Sequence, residues 1–226
     1  MAARADVAVV VPAGGTGARL GSRMPKQFLP LGRQPILAAT LRHFRRHPRV
    51  GAIVVAAPAA HVGRTRRVLV GGGAPVTVVV GGPTRQESVW AAVQAAPPST
   101  AVILVHDAVR PFVTRALVDT LVAAAERDGA AVCGLPITET VKRVRDGIVD
   151  ATLDRDGLWS VQTPQAFRAA ILREAHDKAR RDGFVGTDDA MLVERLGHPV
   201  RMVTGLAENV KITTADDLRR ARRRGR

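Results

Sequence analysis

The sequence predicts an α/β fold in three layers, with a mostly parallel sheet between two layers of helices. Three observations carry this expectation. Apolar runs of strand length alternate with helical patterns along most of the chain. Those runs are continuous in Val, Ile and Ala, which suits strands covered on both faces. The 226 residues can bury a substantial core.

Taken in order, VAVVVPA (7–13) is the first strand and ends in a glycine-rich turn. A helical pattern spans about 35–47, followed by the strand AIVVAAP (52–58) and a helix near 60–70. VTVVV (76–80) is a third strand; the helix near 85–96 opens at Thr84, with Glu87 placed to close a capping box. AVILVHD (101–107) is a strand ending in an acid, and a helix follows over 114–127. AAVCGLP (130–136) and VRMVTG (200–205) are the remaining strands, with helices near 167–181, 187–197 and 214–222. Residues 137–160 break the alternation. They read as short polar strands around an Asp146-Gly147 turn, an inserted arm that packs on a partner subunit. Residues 1–226 therefore read as one domain carrying an arm at about 137–160 and a basic tail, solvated or frayed, at about 219–226.

The formal net charge is +14, which points to phosphate-bearing partners. No Asp or Glu occurs between Val7 and Gln86, so the cations of the first loop have no acidic neighbour in sequence. The arginines of 42–49 and 64–67 read as solvated helix faces. Cys133 is the only cysteine, which rules out an intrachain disulfide. No run of 18 apolar residues and no signal-peptide pattern is present, and a cytoplasmic protein is expected.

The segment VVPAGGTGARLGSRMPKQFLPLG (10–32) is an apolar strand, a flexible glycine turn, then Arg19 and Lys26 seven residues apart. It lacks the third glycine and the downstream acid of a dinucleotide-binding loop. No Gly-Lys dipeptide supports a Walker loop, and no nucleophile elbow or zinc motif is found. Glycines let backbone N–H groups approach a phosphate. Arg19 offers a fork and Lys26 a mobile point charge. Lys26, set among apolar residues before Phe28, reads as pinned.

Ligands in open parallel sheets bind beyond the carboxyl ends of the strands. Asp107 sits at such an end in VILVHDAVRP and is suited to a magnesium ion or a ribose hydroxyl; turn capping is the other use of an Asp there. His106 reads as a satisfied core or turn histidine, and Arg110 as a brace or a partner of Asp107. In GGPTRQESV the capping box explains Thr84 and Glu87 but not Gly81 and Gly82; with Ser88 these could read a base edge. Lys211 in GLAENVKITT could reach phosphates or stand on the surface. Thr187, Asp188 and Asp189 read as helix caps, and Trp159 as packing.

PAGGTGARL, PKQFLPLG, GGPTRQESV, VHDAVRPFV, PITETVKRV, DRDGLWSVQTPQAF, GTDDAMLVE and ENVKIT, in this order over residues 7–217, resemble the 2-C-methyl-D-erythritol 4-phosphate cytidylyltransferases of the non-mevalonate isoprenoid pathway. The resemblance implies a Rossmann-like sheet whose arm is swapped across a homodimer. It implies transfer of CMP from CTP to a polyol phosphate, with release of pyrophosphate and help from Mg²⁺. Arg19, Lys26 and Lys211 would then stabilise the transition state. Ala13, Gly14, Gly15, Gly82, Arg85, Ser88 and Asp107 would hold the nucleotide, Asp107 also placing the metal. Thr140, Lys142, Arg155 and Glu208 would bind the acceptor. Pro83 stands where the family often has an acid, and Glu208 where an aspartate is common. A ribitol 5-phosphate cytidylyltransferase is the nearest rival. A nucleic-acid-binding protein, suggested by the charge, is the rival from another class; aromatics at 3% and no tyrosine leave few stacking platforms. No specific nucleic acid or membrane is expected as a partner.

Overall fold

The computed structural model of the chain describes residues 5–15 and 24–224. Among them, eleven strands run in chain order: β1 (Val7–Pro12), β2 (Pro30–Leu31), β3 (Gln34–Pro35), β4 (Val50–Ala57), β5 (Val76–Val80), β6 (Val102–Val105), β7 (Ala130–Pro136), β8 (Val141–Arg145), β9 (Ile148–Leu153), β10 (Trp159–Arg168) and β11 (Arg201–Thr204). The helices are α1 (Ile36–Arg45), α2 (Val62–Val68), α3 (Arg85–Gln94), α4 (Arg115–Asp128), α5 (Ala169–Arg181), α6 (Asp189–Arg195) and α7 (Ala215–Arg224). No helix of the described residues is long and apolar enough to cross a membrane.

Seven strands form the central sheet in the order β11-β7-β10-β6-β1-β4-β5. All neighbours pair in parallel except β10, which runs antiparallel to both β6 and β7. β1 shows why a continuous valine run is needed. Val7, Val9 and Val11 point into one core with Leu37, Leu41 and Phe44 of α1 and Leu121 of α4. Ala8 and Val10 point into the other, with Val89 and Val93 of α3 and Leu172 of α5. A strand buried on both faces has no room for alternation.

β1 is flanked by β4, reached through α1, and by β6, which comes much later in the chain. The connections therefore leave β1 in opposite directions, and a crevice opens where its carboxyl end meets that of β6.

Three features differ from the sequence reading. β10 occupies the middle of the sheet, although WSVQTPQAF looks too polar, and contains a proline, for a central strand. The register shift between Gln162 and Gln165 takes Pro164 out of the ladder, and the polar side chains around it are used by neighbouring loops. The arm is the β8–β9 hairpin with Asp146 at φ 50° and Gly147 at φ 79°, the two left-handed positions of the expected turn. It is less polar than its sequence suggests, since Val144, Ile148 and Val149 are all exposed. Finally, the expected C-terminal helix runs on to Arg224, so the basic tail is solvated but not frayed over 219–224, and Leu218 and Ala221 pack with Ile36 and Ile212.

Of the early arginines, Arg42, Arg46, Arg66 and Arg67 are exposed as expected, whereas Arg45 and Arg49 are partly buried and paired. Arg49 pairs with Asp6 at 2.8 Å and with Glu126 at 2.6 Å, and Arg45 donates to the Leu69 carbonyl at 2.8 Å. A segment without its own acids draws its anionic partners from just before it and from α4.

Candidate active site

The glycine loop leaves β1 at Pro12. Ala13 donates its N–H to the Ala56 carbonyl at 2.7 Å, which continues the sheet register by one residue. Its carbonyl accepts from the Gln27 side-chain amide at 2.7 Å, and Gln27 is buried. That bond pins the one-turn 3₁₀ helix Lys26–Phe28 against the loop. A Cβ at Gly15 would stand 3.2 Å from Lys26 Cε, so a glycine allows the lysine to lie close along the backbone.

The opposite wall is the start of α3. Thr84 accepts from the Glu87 N–H at 3.1 Å and Glu87 accepts from the Thr84 N–H at 3.0 Å, which is the capping box read from the sequence. It leaves no space for side chains just before it. A Cβ at Gly82 would fall 2.4 Å from Glu87 Cβ, and one at Gly81 2.7 Å from Ser88 Oγ. Ser88 Oγ donates to the Gly82 carbonyl at 3.2 Å. Arg85 reaches across to Asp189, with Nη2 donating to Oδ2 at 2.8 Å.

The floor is the end of β6. Asp107 Oδ2 accepts from Arg110 Nε at 3.0 Å and lies 3.1 Å from Lys211 Nζ. Burial alone would raise this carboxyl; Lys211 first, then Arg110, overcome it and hold the pKa at about 2. Asp107 is thus an anion at any working pH. Arg110 both braces the loop and pairs with Asp107: its Nη1 donates to the Asn209 carbonyl at 2.8 Å. Asn209, buried, donates to the Thr163 carbonyl at 2.8 Å, and Ile212 N–H to the Val109 carbonyl at 3.0 Å. These bonds carry Lys211 to the cleft.

His106 is fully buried and satisfied. The Asp107 N–H donates to Thr163 Oγ1 at 3.0 Å, whose hydroxyl donates to His106 Nδ1 at 3.2 Å, while His106 Nε2–H donates to the Arg110 carbonyl at 3.0 Å. Burial is the chief cause that lowers its pKa to about 4 from the ordinary 6.5. The unfolded chain takes up this proton near 6.5 and the folded one only near 4. The neutral ring therefore supports the fold fully above pH 6.5, and that support is lost as pH falls through 4. The thermal midpoint should fall across this window more steeply in the native chain than in His106→Gln. Parallel curves would remove His106 as the source.

Together these elements line a cleft of about 450 Å³. Lys26, Arg85 and Lys211 are its cations and Asp107 its carboxylate, among the described residues. Ala13, Gly14, Gly15, Gly82 and Ser88 line it as well. Nine residues read as site residues from the sequence therefore meet here. Arg19 lies outside the described residues. Thr140, Lys142, Arg155 and Glu208 do not line the cleft. Lys142 Nζ donates to Thr152 Oγ1 at 2.6 Å, Arg155 bonds the Thr138 carbonyl, and Glu208 pairs with Arg224 at 3.1 Å, while Thr140 is exposed.

Sequence reading missed Gln27, Thr163 and Asn209, which build the site from behind. Gln27 had a visible signal, an amide beside Lys26 in an otherwise apolar stretch. Asp188 is the helix cap it was read as, accepting from the Met191 N–H at 3.0 Å. Asp189 is not a cap; it is the buried partner of Arg85.

The model of the 2-C-methyl-D-erythritol 4-phosphate cytidylyltransferase family matches residues 7–223. A protein of that name from Syntrophotalea carbinolica is 44% identical, over 94% of this chain and 93% of its own length. One from Symbiobacterium thermophilum is 46% identical, over 95% of this chain and 91% of its own. The crystal structure of the Thermus thermophilus protein of that name superposes with a TM-score of 0.82 at 39% identity, covering 97% of this chain and 98% of that one. With a matching fold and near-complete coverage, the chain belongs to the 2-C-methyl-D-erythritol 4-phosphate cytidylyltransferase family.

Proposed function

We propose that the chain transfers the cytidylyl group of CTP to 2-C-methyl-D-erythritol 4-phosphate, giving 4-diphosphocytidyl-2-C-methyl-D-erythritol and pyrophosphate in non-mevalonate isoprenoid biosynthesis. The observation that carries this reading is the convergence of Lys26, Lys211 and Asp107 on one cleft at the carboxyl ends of β1 and β6, in a chain of this family.

In the reaction a phosphate oxygen of the acceptor attacks the α-phosphorus in line, and the bond to the bridging oxygen of the β-phosphate breaks. No side chain need bond covalently to the substrate. Catalysis then rests on positioning and on charge stabilisation. Lys26, held by the Gln27–Ala13 bond, is assigned to the α-phosphoryl oxygens and the leaving pyrophosphate, with Arg19 beside it in sequence and Lys211 approaching from the other side. Gly14, Gly15 and Ala13 present backbone to the nucleotide, and Gly82, Ser88 and Arg85 form the wall assigned to cytosine and ribose.

The donor set also fits a divalent cation. Mg²⁺ uses one or two carboxylates and completes its shell with phosphate and water oxygens, and Asp107 is an ionised carboxylate in a cleft built for a triphosphate. When bound, the metal would neutralise triphosphate charge; Asp107 would hold it, and Lys211 and Arg110, its present partners, would be left to the phosphates and the loop.

The acceptor is assigned to Thr140, Lys142 and Arg155 of a second copy's arm, together with Glu208. Two facts support an arm shared within a homodimer. Its polar side chains stand away from their own chain's cleft, and its apolar ones, with Ile148 at 74% exposure, have no cover. A cytoplasmic location suits the CTP requirement and a single buried thiol.

The deciding assay is pyrophosphate release from CTP and Mg²⁺, with methylerythritol 4-phosphate and ribitol 5-phosphate in parallel. Release with methylerythritol phosphate alone is expected. Release with ribitol phosphate alone would keep the chemistry and change the acceptor, and silence in both from folded protein would overturn the reading.

A further inference from the structure

Arg85 is the first residue of α3 and lines the nucleotide side of the cleft, yet its guanidinium is held from behind. Asp189, at the start of α6 and 104 residues away, accepts from Nη2 at 2.8 Å. The Asp189 side chain is 1% exposed and the Arg85 side chain 33%. A long, flexible cation at the cleft edge is thus tied to a rigid anion in the core. The other carboxylate oxygen of Asp189 accepts from His176 Nε2 at 3.1 Å, and His176 is fully buried on α5. Gln165 of β10 fixes the same segment: its Nε2 donates to Asp188 Oδ2 at 2.7 Å, and its Oε1 accepts the Asp189 N–H at 3.3 Å. A second tie runs in parallel. The Gln86 amide donates to the Phe184 carbonyl at 2.9 Å and accepts from the Gly186 N–H at 2.9 Å. Two consecutive residues of the first turn of α3 are therefore clamped to residues 184–189.

We propose that Asp189, backed by His176, is a positioning residue for CTP: it fixes Arg85 in the orientation the nucleotide meets, so that binding need not order that side chain. The proposal rests on the cytidylyl-transfer reading of the cleft and deepens it. Its physical content is preorganisation. Freezing one rotamer-rich side chain on binding weakens affinity by roughly 3–10-fold, and a side chain already held avoids that loss. Burial opposes ionisation of Asp189, but the His176 hydrogen bond and the nearby Arg85 charge keep its pKa below the ordinary value, so the anchor stays charged.

The sign of the effect separates positioning from simple charge. Asp189→Asn removes a negative charge behind a site for a triphosphate. Charge alone would make CTP bind more tightly; loss of positioning makes it bind more weakly. By calorimetry on the full chain, Asp189→Asn should raise the Kd for CTP by about 3–10-fold. The KM for the polyol phosphate should not change. In an Arg85→Ala background the same substitution should add nothing to the CTP loss. An unchanged or lower Kd in Asp189→Asn overturns the proposal, and so do effects that multiply in the double variant. A purely structural role would lower the melting temperature and the active fraction but leave the Kd of the folded protein alone. Should Asp189→Asn not fold, Arg85→Lys keeps the charge without the fork and should show the same CTP-specific loss; a native Kd in that variant overturns the proposal. A native chain that neither binds CTP nor releases pyrophosphate overturns the functional reading together with this one, whereas an unaffected Asp189→Asn overturns this one alone.

Discussion

Lys26→Ala is expected to lower kcat by about 10²–10³, the scale for removing one preorganised electrostatic donor from a developing charge. The expectation comes from how firmly the lysine is placed. Its 3₁₀ turn is tied to Ala13 through buried Gln27, and its side chain runs within 3.2 Å of where a Cβ on Gly15 would be. A charge fixed before the substrate arrives needs no reorganisation during reaction. Steady-state pyrophosphate release measures the effect, with CTP binding checked separately. Turnover near the native rate would remove Lys26 from the chemistry. A loss confined to CTP affinity would make it a binding residue only.

Arg155→Ala is expected to raise the KM for the polyol phosphate by roughly 10–150-fold, because a hydrogen bond to a charged group contributes about 1.5–3 kcal/mol. The KM for CTP should hardly move. Within one chain, and among the described residues, Arg155 bonds its own arm at the Thr138 carbonyl and lies outside the cleft. The large effect therefore requires a second copy. Mixing Arg155→Ala chains with Lys26→Ala chains supplies a further reading: each heterodimer would carry one intact composite site, so activity should return above that of either variant alone. No recovery in the mixture, or equal KM changes for both substrates, would refute the shared arm.

Much of this architecture is legible in the residues, and the reason is local. Strands 76–80 and 130–136 have their observed bounds in the sequence because runs of Val or Ala bounded by Gly or Pro offer no competing structure. The Thr84–Glu87 cap and the Asp146-Gly147 turn are equally local, each satisfied within four residues. The cleft is legible where a strand end and its loop carry the signal, as at Gly14, Lys26 and Asp107. What escapes is pairing between distant segments. Arg110 meets Asn209 across 99 residues and Arg85 meets Asp189 across 104, and neither residue type announces its partner. β10 escapes for a related reason. Gln162, Thr163 and Gln165 look like loop residues because their side chains serve Leu206, His106 and Asp188 rather than a core.

The position of β10 also bears on how the chain folds during synthesis. β6 and β7 are neither adjacent in the sheet nor able to close on each other; the strand that joins them ends at residue 168, after the whole arm. Until then, the wholly apolar strand Val102–Val105 has only β1 of its two final neighbours, and one of its edges lacks a partner. An open apolar edge is a template for pairing with another chain. A nascent chain released before residue 168 would therefore keep that edge uncovered, and the later segments complete the sheet in two places, with β10 at its centre and β11 at its rim.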